Sequence, residues 1–309
     1  GNNEDIIPCI SCSRCSVTGR AGNLKCAVNP HAGREGDFRL QKATKLKEIW
    51  VIGGGPAGMK AAETSSLRGH VVTLFEKKQY LGGRFVLAAL PPHKQVLKEY
   101  TDYLIRKVKG LPINLILGRA FEPSMLEGKE RPDVIVVATG ARASLGKIDG
   151  IQGENNVFSG DDVFTKDSAL GGKVVVLGGG GIGAEIADFI SELGSAVTLI
   201  EMQEGIALDL PPNSRVFLEE RLAGKEVKIL TFTKVIRLDN AGLMVEGSQG
   251  QRLLGKFDSI VVAMGSIPNA ELVDIAKKKI PEIYVVGDAV KPREILDALV
   301  EGEEVAMRI

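Results

Sequence analysis

Six landmark residues occur twice in this sequence, and the two members of every pair lie 125 residues apart. The pairs are Gly53 and Gly178, Gly55 and Gly180, Gly58 and Gly183, Glu76 and Glu201, Asp133 and Asp258, and Gly140 and Gly265. In each copy a Gly-x-Gly-x-x-Gly run follows a strand-like apolar stretch, and a glutamate comes 23 residues after the first glycine. A repeat of fixed period means that one supersecondary unit is built twice. The sequence therefore predicts two dinucleotide-binding units on one polypeptide.

Composition limits the classes of protein to which the chain can belong. Its 309 residues suit roughly two domains. Lys plus Arg equals Asp plus Glu at 39 each, so no net field attracts nucleic acid or a membrane surface. The longest apolar runs, such as Val134–Ala138, are too short to span a bilayer. All four cysteines lie within the first 26 residues, which argues against a disulfide-stapled secreted protein and predicts a reducing, cytoplasmic location.

The first glycine-rich run, Gly53-Gly-Gly-Pro-Ala-Gly58, combines a strand end, a tight turn and a helix start. Gly53 permits the turn, Gly55 lets a pyrophosphate approach the backbone, and Gly58 lets the helix pack closely against the strand. The pyrophosphate then meets the positive end of the helix dipole. Glu76 is suited to accept hydrogen bonds from ribose hydroxyls. Glycine turns without a ligand are the alternative interpretation. The predicted residues of this site are Gly53, Gly55, Pro56, Ala57, Gly58 and Glu76.

The second run, Gly178-Gly-Gly-Gly-Ile-Gly183, repeats this pyrophosphate-binding turn, which we call a cradle in both copies. Glu201 takes the position of the glutamate that binds ribose. At about 4 Å a carboxylate repels a 2′-phosphate by about 1 kcal/mol in water and about 4 kcal/mol at a protein surface. Met202 and Gln203 follow Glu201, so no arginine stands there to bind such a phosphate. The sequence therefore predicts NADH in preference to NADPH. A domain that holds an adenine nucleotide without turnover is the alternative. The predicted residues are Gly178, Gly180, Gly183, Glu201 and Gly265.

The cysteines follow the spacing Cys9-x2-Cys12-x2-Cys15-x10-Cys26. Three thiolates at this interval fold around corners of a cuboidal cluster, and a more distant cysteine serves the fourth iron, so a [4Fe–4S] cluster is predicted. Zinc, which usually takes two separated pairs of Cys or His ligands, is one alternative. Free or redox-active thiols are the other. Because residues 27–309 contain no cysteine, a dithiol relay in the second nucleotide domain is excluded.

Four segments resemble those of the 2,4-dienoyl-CoA reductase and trimethylamine dehydrogenase family. They are Pro8–Cys15, Cys26–Glu35, Leu81–Ala88 and Gly287–Ala298, and the likeness extends over essentially the whole chain. The resemblance implies FAD in the first site. In such two-dinucleotide flavoproteins an aspartate like Asp288 binds the ribityl chain, and the next helix directs its N-terminus at the isoalloxazine ring. The residues that the resemblance adds to this site are Gly83, Arg84, Ala138, Thr139, Gly140, Gly287 and Asp288.

The order of segments predicts a nested arrangement. The tail, with a strand at Ile283–Val286 and a helix from Pro292, does not continue the second copy, so the second unit is expected to be inserted into the first. Antiparallel strands are predicted at Val227–Arg237 and Gly242–Val245. The predicted class is α/β, with two nested Rossmann-like dinucleotide-binding domains preceded by a cysteine-rich iron–sulfur segment. The predicted bounds are 1–42 for that segment, 43–155 with 268–309 for the FAD domain, and 156–267 for the NAD(H) domain.

Family members also carry an FMN-binding TIM barrel of the old yellow enzyme type, where the substrate reacts. This chain has neither the length nor the eight strand–helix repeats of a barrel. FMN is therefore expected in a missing domain or in a partner subunit of a hetero-oligomer. The resemblance implies an electron-transfer flavoprotein module. Hydride would pass from NADH to FAD, and single electrons would pass through the cluster to an FMN domain that reduces an unsaturated substrate.

Other functions are weaker alternatives. One is amine oxidation of the trimethylamine dehydrogenase type, in which the second nucleotide domain holds only ADP. A reductase chain like that of glutamate synthase would carry more cysteine, and a structural binding module leaves paired nucleotide sites without a purpose. Because cofactors carry the chemistry, no protein acid or base is predicted to be catalytic. Arg84 is expected to act electrostatically near the flavin, with a surface or phosphate-contacting arginine as the alternative, and the three histidines are expected to be surface or packing residues.

Overall fold

The structure of the chain is a computed structural model that describes residues 5–36, 39–128, 131–165 and 170–309. Residues 1–4 and 37–38 of the predicted cysteine-rich segment lie outside the described residues, as do 129–130 and 166–169 of the predicted nucleotide-binding domains. Every predicted site residue lies within the described ranges. Within them, the helices are all too short or too polar to cross a membrane.

Helices and strands alternate along most of the chain. The helices are α1 Arg14–Arg20, α2 Pro56–Leu67, α3 Phe85–Ala88, α4 Gln95–Lys109, α5 Gly160–Thr165, α6 Gly181–Glu192, α7 Pro212–Gly224, α8 Glu271–Ala276 and α9 Ile295–Arg308. The strands are β1 Glu48–Ile52, β2 Val71–Glu76, β3 Ile113–Leu117, β4 Val134–Val137, β5 Ala141–Ala143, β6 Val157–Ser159, β7 Lys173–Leu177, β8 Ala196–Ile200, β9 Lys228–Leu230, β10 Lys234–Asp239, β11 Gly242–Gly247, β12 Gly250–Leu253, β13 Ser259–Val262, β14 Ser266–Pro268 and β15 Glu282–Val285. Single 3-10 turns occur at Pro123–Glu127 and Gly287–Ala289.

The chain divides into two compact units. Unit 1 comprises Gly1–Ala89, Lys94–Arg142 and Ile267–Ile309, and unit 2 comprises Leu90–His93 and Ala143–Ser266. Unit 1 contains a sheet of order β15-β4-β1-β2-β3, and unit 2 contains a sheet of order β6-β13-β7-β8-β9. All neighbours in both sheets are parallel. The predicted α/β class with parallel sheets of the dinucleotide-binding type is confirmed.

The core of unit 1 lies on both faces of its sheet because successive β1 side chains point to opposite sides. Ile49 and Val51 face α2, α4 and α9. Trp50 and Ile52 face α8 and the 3-10 turn at Pro123–Glu127. Both faces are buried, so the strand is an uninterrupted apolar run rather than an alternating one. The C-terminal ends of the strands are thereby fixed beside the first residues of α2.

Unit 2 covers the two faces of its sheet with different elements. Val174 and Val176 of β7 pack with α6 and α7, whereas Val175 and Leu177 pack with the antiparallel strand β11 through Leu243 and its neighbours. Strands β10, β11 and β12 form this separate antiparallel sheet. Unit 2 therefore buries one side of its parallel sheet under strands, where unit 1 uses a helix and a turn.

One predicted strand is wrong. The segment Val227–Arg237 does not form a single antiparallel strand, because β9 pairs parallel with β8 and β10 pairs antiparallel with β11. The break falls at Phe232, whose φ is +46°. The N–H of Phe232 donates to the carbonyl oxygen of Gln203, at 2.9 Å, and the N–H of Thr233 donates to that of Glu201, also at 2.9 Å. These bonds turn the chain out of the parallel sheet.

Candidate cofactor sites

The first glycine-rich turn joins β1 to α2 with very little space around its backbone. Gly53 has φ +111°, and a Cβ there would overlap the carbonyl oxygen of Ala138. A Cβ at Gly58 would overlap the carbonyl oxygen of Gly53. Pro56 is the first residue of α2, where its missing N–H leaves no additional orphan donor. The turn therefore presents the N-terminus of α2 at the edge of the sheet, as a pyrophosphate cradle requires.

Glu76 is a buried carboxylate that ties the first turn together. Its side chain is 6% exposed. Oε2 accepts the N–H of Gly54 at 2.8 Å, and Oε1 accepts the N–H of Lys78 at 2.9 Å. A carboxylate offers about four acceptor positions, so two backbone bonds leave capacity for ribose hydroxyls.

The second turn repeats this geometry in unit 2. Gly178 has φ +100°, a Cβ there would come within 2.6 Å of the carbonyl oxygen of Ala263, and a Cβ at Gly183 would overlap the carbonyl oxygen of Gly178. The buried carboxylate of Glu201 accepts the N–H of Gly179 at 2.6 Å and that of Gln203 at 2.8 Å. Each contact matches its counterpart 125 residues earlier.

The loops that follow Glu76 and Glu201 return to their own cradles. In unit 1 the N–H of Gly82 donates to the carbonyl oxygen of Gly54 at 2.8 Å, and a Cβ at Gly83 would lie 2.9 Å from the Cα of Gly55. In unit 2 the N–H of Ala207 donates to the carbonyl oxygen of Gly179 at 2.7 Å. Arg84 follows directly in the first loop, as the residue before α3.

Asp209 is a site residue that the sequence interpretation missed. Its Oδ1 accepts the N–H of Gly181, the first residue of α6, at 2.8 Å. The residue is 125 positions after Arg84, but the two residue types differ, so a search for repeated residues does not find it.

Of the predicted residues Ala138, Thr139 and Gly140, the first two lie against the first glycine turn, because a Cβ at Gly53 would lie 3.2 Å from the backbone nitrogen of Thr139 and closer still to Ala138. The hydroxyl of Thr139 donates to the carbonyl oxygen of Asn269, whose N–H donates to Gly140 at 2.9 Å. Asn269 was not predicted, since no pattern in the sequence links it to residue 139. In unit 2 the carbonyl oxygen of Gly265 accepts the N–H of Ser144 at 3.0 Å.

Gly287 and Asp288 lie where the C-terminal part of the chain meets the first cradle. A Cβ at Gly287 would lie 2.8 Å from the Cβ of Ala57, and a Cβ at Gly302 of α9 would overlap the carbonyl oxygen of Ala57. The half-buried carboxylate of Asp288 accepts the N–H of Arg293 at 3.1 Å. Burial raises the pKa of Asp288 above its ordinary value. Its second oxygen fits the task of accepting from a ribityl hydroxyl.

The four cysteines lie in unit 1, and no disulfide joins them. Cys9 and Cys15 are exposed, and Cys12 and Cys26 are half-buried against the core. The N–H of Ser11 lies 3.4 Å from Sγ of Cys9, and Ser11 has φ +54°. In the described part of the chain, no three or more His, Cys, Asp or Glu side chains converge as ligands of one metal ion. Cluster thiolates bind different irons, so a donor set of four cysteines need not converge on one point.

The cysteine-bearing segment is anchored to α4 and α9. Tyr100 donates its hydroxyl to the carbonyl oxygen of Val28 at 3.2 Å, and burial raises the pKa of Tyr100, so the hydroxyl stays a neutral donor. His31 Nε2 lies 2.8 Å from Oε2 of the buried Glu303. Arg14 forms an ion pair with Glu294, the N-cap residue of α9.

Lys60 on α2 joins the same buried network. Its Nζ lies 3.3 Å from Oε1 of Glu303 and 3.4 Å from Oε2 of Glu63. Burial alone would disfavour the charged amine, but the two carboxylates outweigh it and raise the pKa of Lys60. Because a buried carboxylate needs a partner, Lys60 and His31 together stabilise Glu303 where the cysteine segment meets unit 1.

Known proteins share both the sequence and the fold of this chain. It is 34% identical over 321 residues to an NADH oxidase of Thermoanaerobacter brockii, covering 100% of this chain and 48% of that protein. It is 34% identical over 291 residues to a bilirubin reductase of Mediterraneibacter gnavus, covering 93% of this chain and 45% of that protein. A solved 2-naphthoyl-CoA reductase superposes with a TM-score of 0.93 at 29% identity, covering 100% of this chain and 47% of that one. The chain thus spans about half the length of these relatives.

A family assignment follows from the paired cradles together with a match over most of the chain. Residues 47–302 match the family described as Pyridine nucleotide-disulphide oxidoreductase, and the matched stretch contains both glycine turns, both glutamates and Asp288. All four cysteines precede that stretch, so no disulfide within it carries electrons here. With two parallel sheets that each end in the same cradle, the chain belongs to the pyridine nucleotide-disulphide oxidoreductase family.

Proposed function

We propose that the chain is the electron-transfer module of an NADH-dependent flavin oxidoreductase. In this proposal unit 1 binds FAD, unit 2 binds NADH, and Cys9, Cys12, Cys15 and Cys26 hold a [4Fe–4S] cluster. When bound, FAD would supply hydride acceptance and one-electron release, and a cluster held by the four cysteines would supply one-electron conduction. The acceptor is FMN in a TIM-barrel domain or partner subunit that reduces an unsaturated substrate.

The fit of unit 1 to FAD supports its place in the proposal. A Cβ at Gly53 or Gly58 would fill the cradle, while Asp288 offers a carboxylate with one oxygen bonded to the N–H of Arg293. Helix α9 begins seven residues after Asp288, with its N-terminus closed by a capping box between Glu294 and Asp297. In the proposed complex Asp288 orients the ribityl chain, and the dipole of α9 stabilises negative charge on the ring.

The fit of unit 2 to NADH rests on its cradle and on exposed apolar side chains around it. Ile182 lies in the first turn of α6, Met202 follows Glu201, and Met264 precedes Gly265. These three side chains are 63, 67 and 42% exposed. Exposed apolar side chains beside a polar cradle suit the flat rings of a nicotinamide adenine nucleotide.

The ion pair between Arg14 and Glu294 is the observation that supports the proposed order of electron transfer from flavin to cluster. Arg14 precedes Cys15, and Glu294 is the N-cap of α9, the helix whose N-terminus would face the flavin ring. Tyr100 and His31 fix the same segment through Val28 and Glu303. These contacts hold the cysteine segment against α4 and α9, which supports the proposal that a cluster there receives electrons from the flavin. The role of the chain's own residues is to bind and orient the cofactors, since no acid or base is required.

An anaerobic titration of the FAD- and iron-loaded chain with NADH tests the proposal. Flavin absorbance and the EPR signal of the cluster are followed together. The expected result is bleaching of the flavin followed by a reduced-cluster signal. A flavin that NADH leaves oxidised contradicts the proposal and favours the amine-oxidising alternative, in which unit 2 holds only ADP. Stoichiometric zinc without iron or sulfide after anaerobic purification contradicts the cluster.

A matched variant separates the cluster from the flavin. Cys15→Ser removes one proposed ligand, and Ser16→Ala changes the next residue of the same helix while leaving all four thiols. The proposal expects Cys15→Ser to lose the cluster signal while NADH still bleaches the flavin, and Ser16→Ala to behave as the unmodified chain. Equal iron content in the two variants contradicts the assignment of Cys15.

A further inference from the structure

The loop after each cradle places a side chain of opposite charge at the same position. Gly82 and Ala207 make equivalent hydrogen bonds to the middle of their cradles, at 2.8 and 2.7 Å. Two residues later the loop of unit 1 carries Arg84, and the loop of unit 2 carries Asp209. These hydrogen bonds align the two loops, and Arg84 and Asp209 hold the same sequence position relative to them. The charge at this position is therefore reversed between the two units.

The carboxylate of Asp209 occupies the anion-binding end of α6. Its Oδ1 accepts the N–H of Gly181 at 2.8 Å, and a Cβ at Gly180 would lie 3.8 and 3.9 Å from its two oxygens. The first N–H groups of a helix have no partner within the helix and bind anions, including phosphates. Asp209 thus fills the position that a dinucleotide pyrophosphate would take.

We propose that Asp209 is an internal competitor for the pyrophosphate and sets the affinity of unit 2 for its nucleotide. The inference rests on the proposed binding of NADH to unit 2. To bind, the nucleotide displaces an exposed aspartate and takes over the N–H of Gly181. In unit 1 the same position carries Arg84, whose charge attracts a pyrophosphate. The repeat thereby holds a resident cofactor in one cradle and releases a substrate from the other after each turnover.

Asp209→Asn is the informative substitution because it removes the charge while Oδ1 of asparagine still accepts the N–H of Gly181. The probe is ADP-ribose, which has the pyrophosphate but no nicotinamide, titrated calorimetrically into the FAD-loaded chain. We expect Asp209→Asn to lower the Kd for ADP-ribose roughly tenfold, a change of about 1.4 kcal/mol. Adenosine, which has no phosphate, is expected to bind both forms equally.

Glu204→Gln is the matched control. Glu204 lies in the same loop, is exposed, and loses the same charge. Its substitution is expected to leave the Kd for ADP-ribose unchanged. If Glu204→Gln lowered the Kd for ADP-ribose as much as Asp209→Asn does, the effect would come from the net charge of the loop, and the role of Asp209 would be overturned. An unchanged or weaker affinity in Asp209→Asn, with an unchanged melting temperature, would overturn it as well. So would the failure of both forms to bind ADP-ribose.

The two proposals fail in different measurements. If ADP-ribose binds Asp209→Asn more tightly but NADH does not bleach the flavin, the competitor role stands and the hydride-transfer function does not. If NADH bleaches the flavin and Asp209→Asn has no effect on ADP-ribose, the function stands and Asp209 is only a cap of α6.

Discussion

The two units have the same cradle backbone, but they surround it differently. In both, the third glycine packs on the first and a buried glutamate holds the middle of the turn. Beside the cradle, unit 1 has Arg84 and Gly83 where unit 2 has Asp209 and Leu208. The glycine turns are therefore alike in the two units, whereas the loop that follows differs in charge, and the proposed role of Asp209 rests on this difference.

The constant offset of the fifth and sixth landmark pairs conceals a second difference between the copies. β3 begins 37 residues after Glu76, whereas β9 begins 27 residues after Glu201. From β9 to β13, unit 2 is ten residues longer than unit 1 is from β3 to β4, and this longer segment contains the antiparallel strands β10 to β12. The constant offset of 125 therefore results from two compensating changes, one on each side of the third strand.

The largest expected effect comes from filling the cradles one at a time. Gly58→Ala places a Cβ against the carbonyl oxygen of Gly53 and should yield protein without FAD. Gly183→Ala makes the same overlap with Gly178 and should keep FAD while abolishing binding of NADH. Both overlaps are with backbone, which cannot rotate away. Flavin absorbance per chain and calorimetry with NADH measure the two effects, and loss of FAD in Gly183→Ala would show that the cradles are not independent.

Replacement of the two glutamates by glutamine, one at a time, tests the nucleotide preference of unit 2. Glu201→Gln removes the charge that repels a 2′-phosphate, so the preference for NADH over NADPH should fall by at least roughly fivefold, from about 1 kcal/mol or more of repulsion. The ratio of the two Kd values is the measurement. Glu76→Gln, the equivalent change in unit 1, should leave that ratio unchanged. An unaltered ratio in Glu201→Gln would contradict the assigned ribose position.

A smaller effect concerns the charge of Asp288. Burial raises the pKa of this carboxyl in the folded chain, so the folded state binds a proton more readily than the unfolded state does. In the form without FAD, the free energy of unfolding should therefore decrease as the pH rises through the window above the unfolded value of about 3.9. Asp288→Asn should abolish this dependence. Chemical denaturation at a series of pH values checks it, and an identical profile for both forms would contradict it.

The smallest expected effect concerns the residue before the second strand of each unit. This residue is His70 before β2 in unit 1 and Ser195 before β8 in unit 2. Burial, with Arg68 and Lys47 nearby, lowers the pKa of His70, whose Nδ1 accepts the N–H of Lys47 at 3.2 Å. The unfolded chain takes up a proton near pH 6.5 while the folded chain resists it, so stability should fall as the pH falls below about 6.5. His70→Gln should flatten that slope, and Ser195→Ala should not. Denaturation curves between pH 7.5 and about 5.5 measure both.

Local patterns were sufficient for the elements that are buried on both faces. The apolar runs at β1 and β7 predicted their strands correctly because continuous burial leaves no polar interruption. They were insufficient at Val227–Arg237, where the break at Phe232 depends on hydrogen bonds to Gln203 and Glu201. Asn269 was equally hidden, since its contact with Thr139 joins residues 130 positions apart.

The sequence by itself determined the paired cradles, because the three glycines and the glutamate act within one turn and its adjacent strand. It also determined that every thiol stands ahead of the repeat. It also predicted that the C-terminal strand returns to the first unit. Only the tertiary structure showed that this strand, β15, pairs with β4 at the edge of the sheet, and that Arg14 meets Glu294 across 280 residues. It alone placed Asp209 on the N-terminus of α6. Such contacts depend on how loops close in space, which residue spacing does not encode.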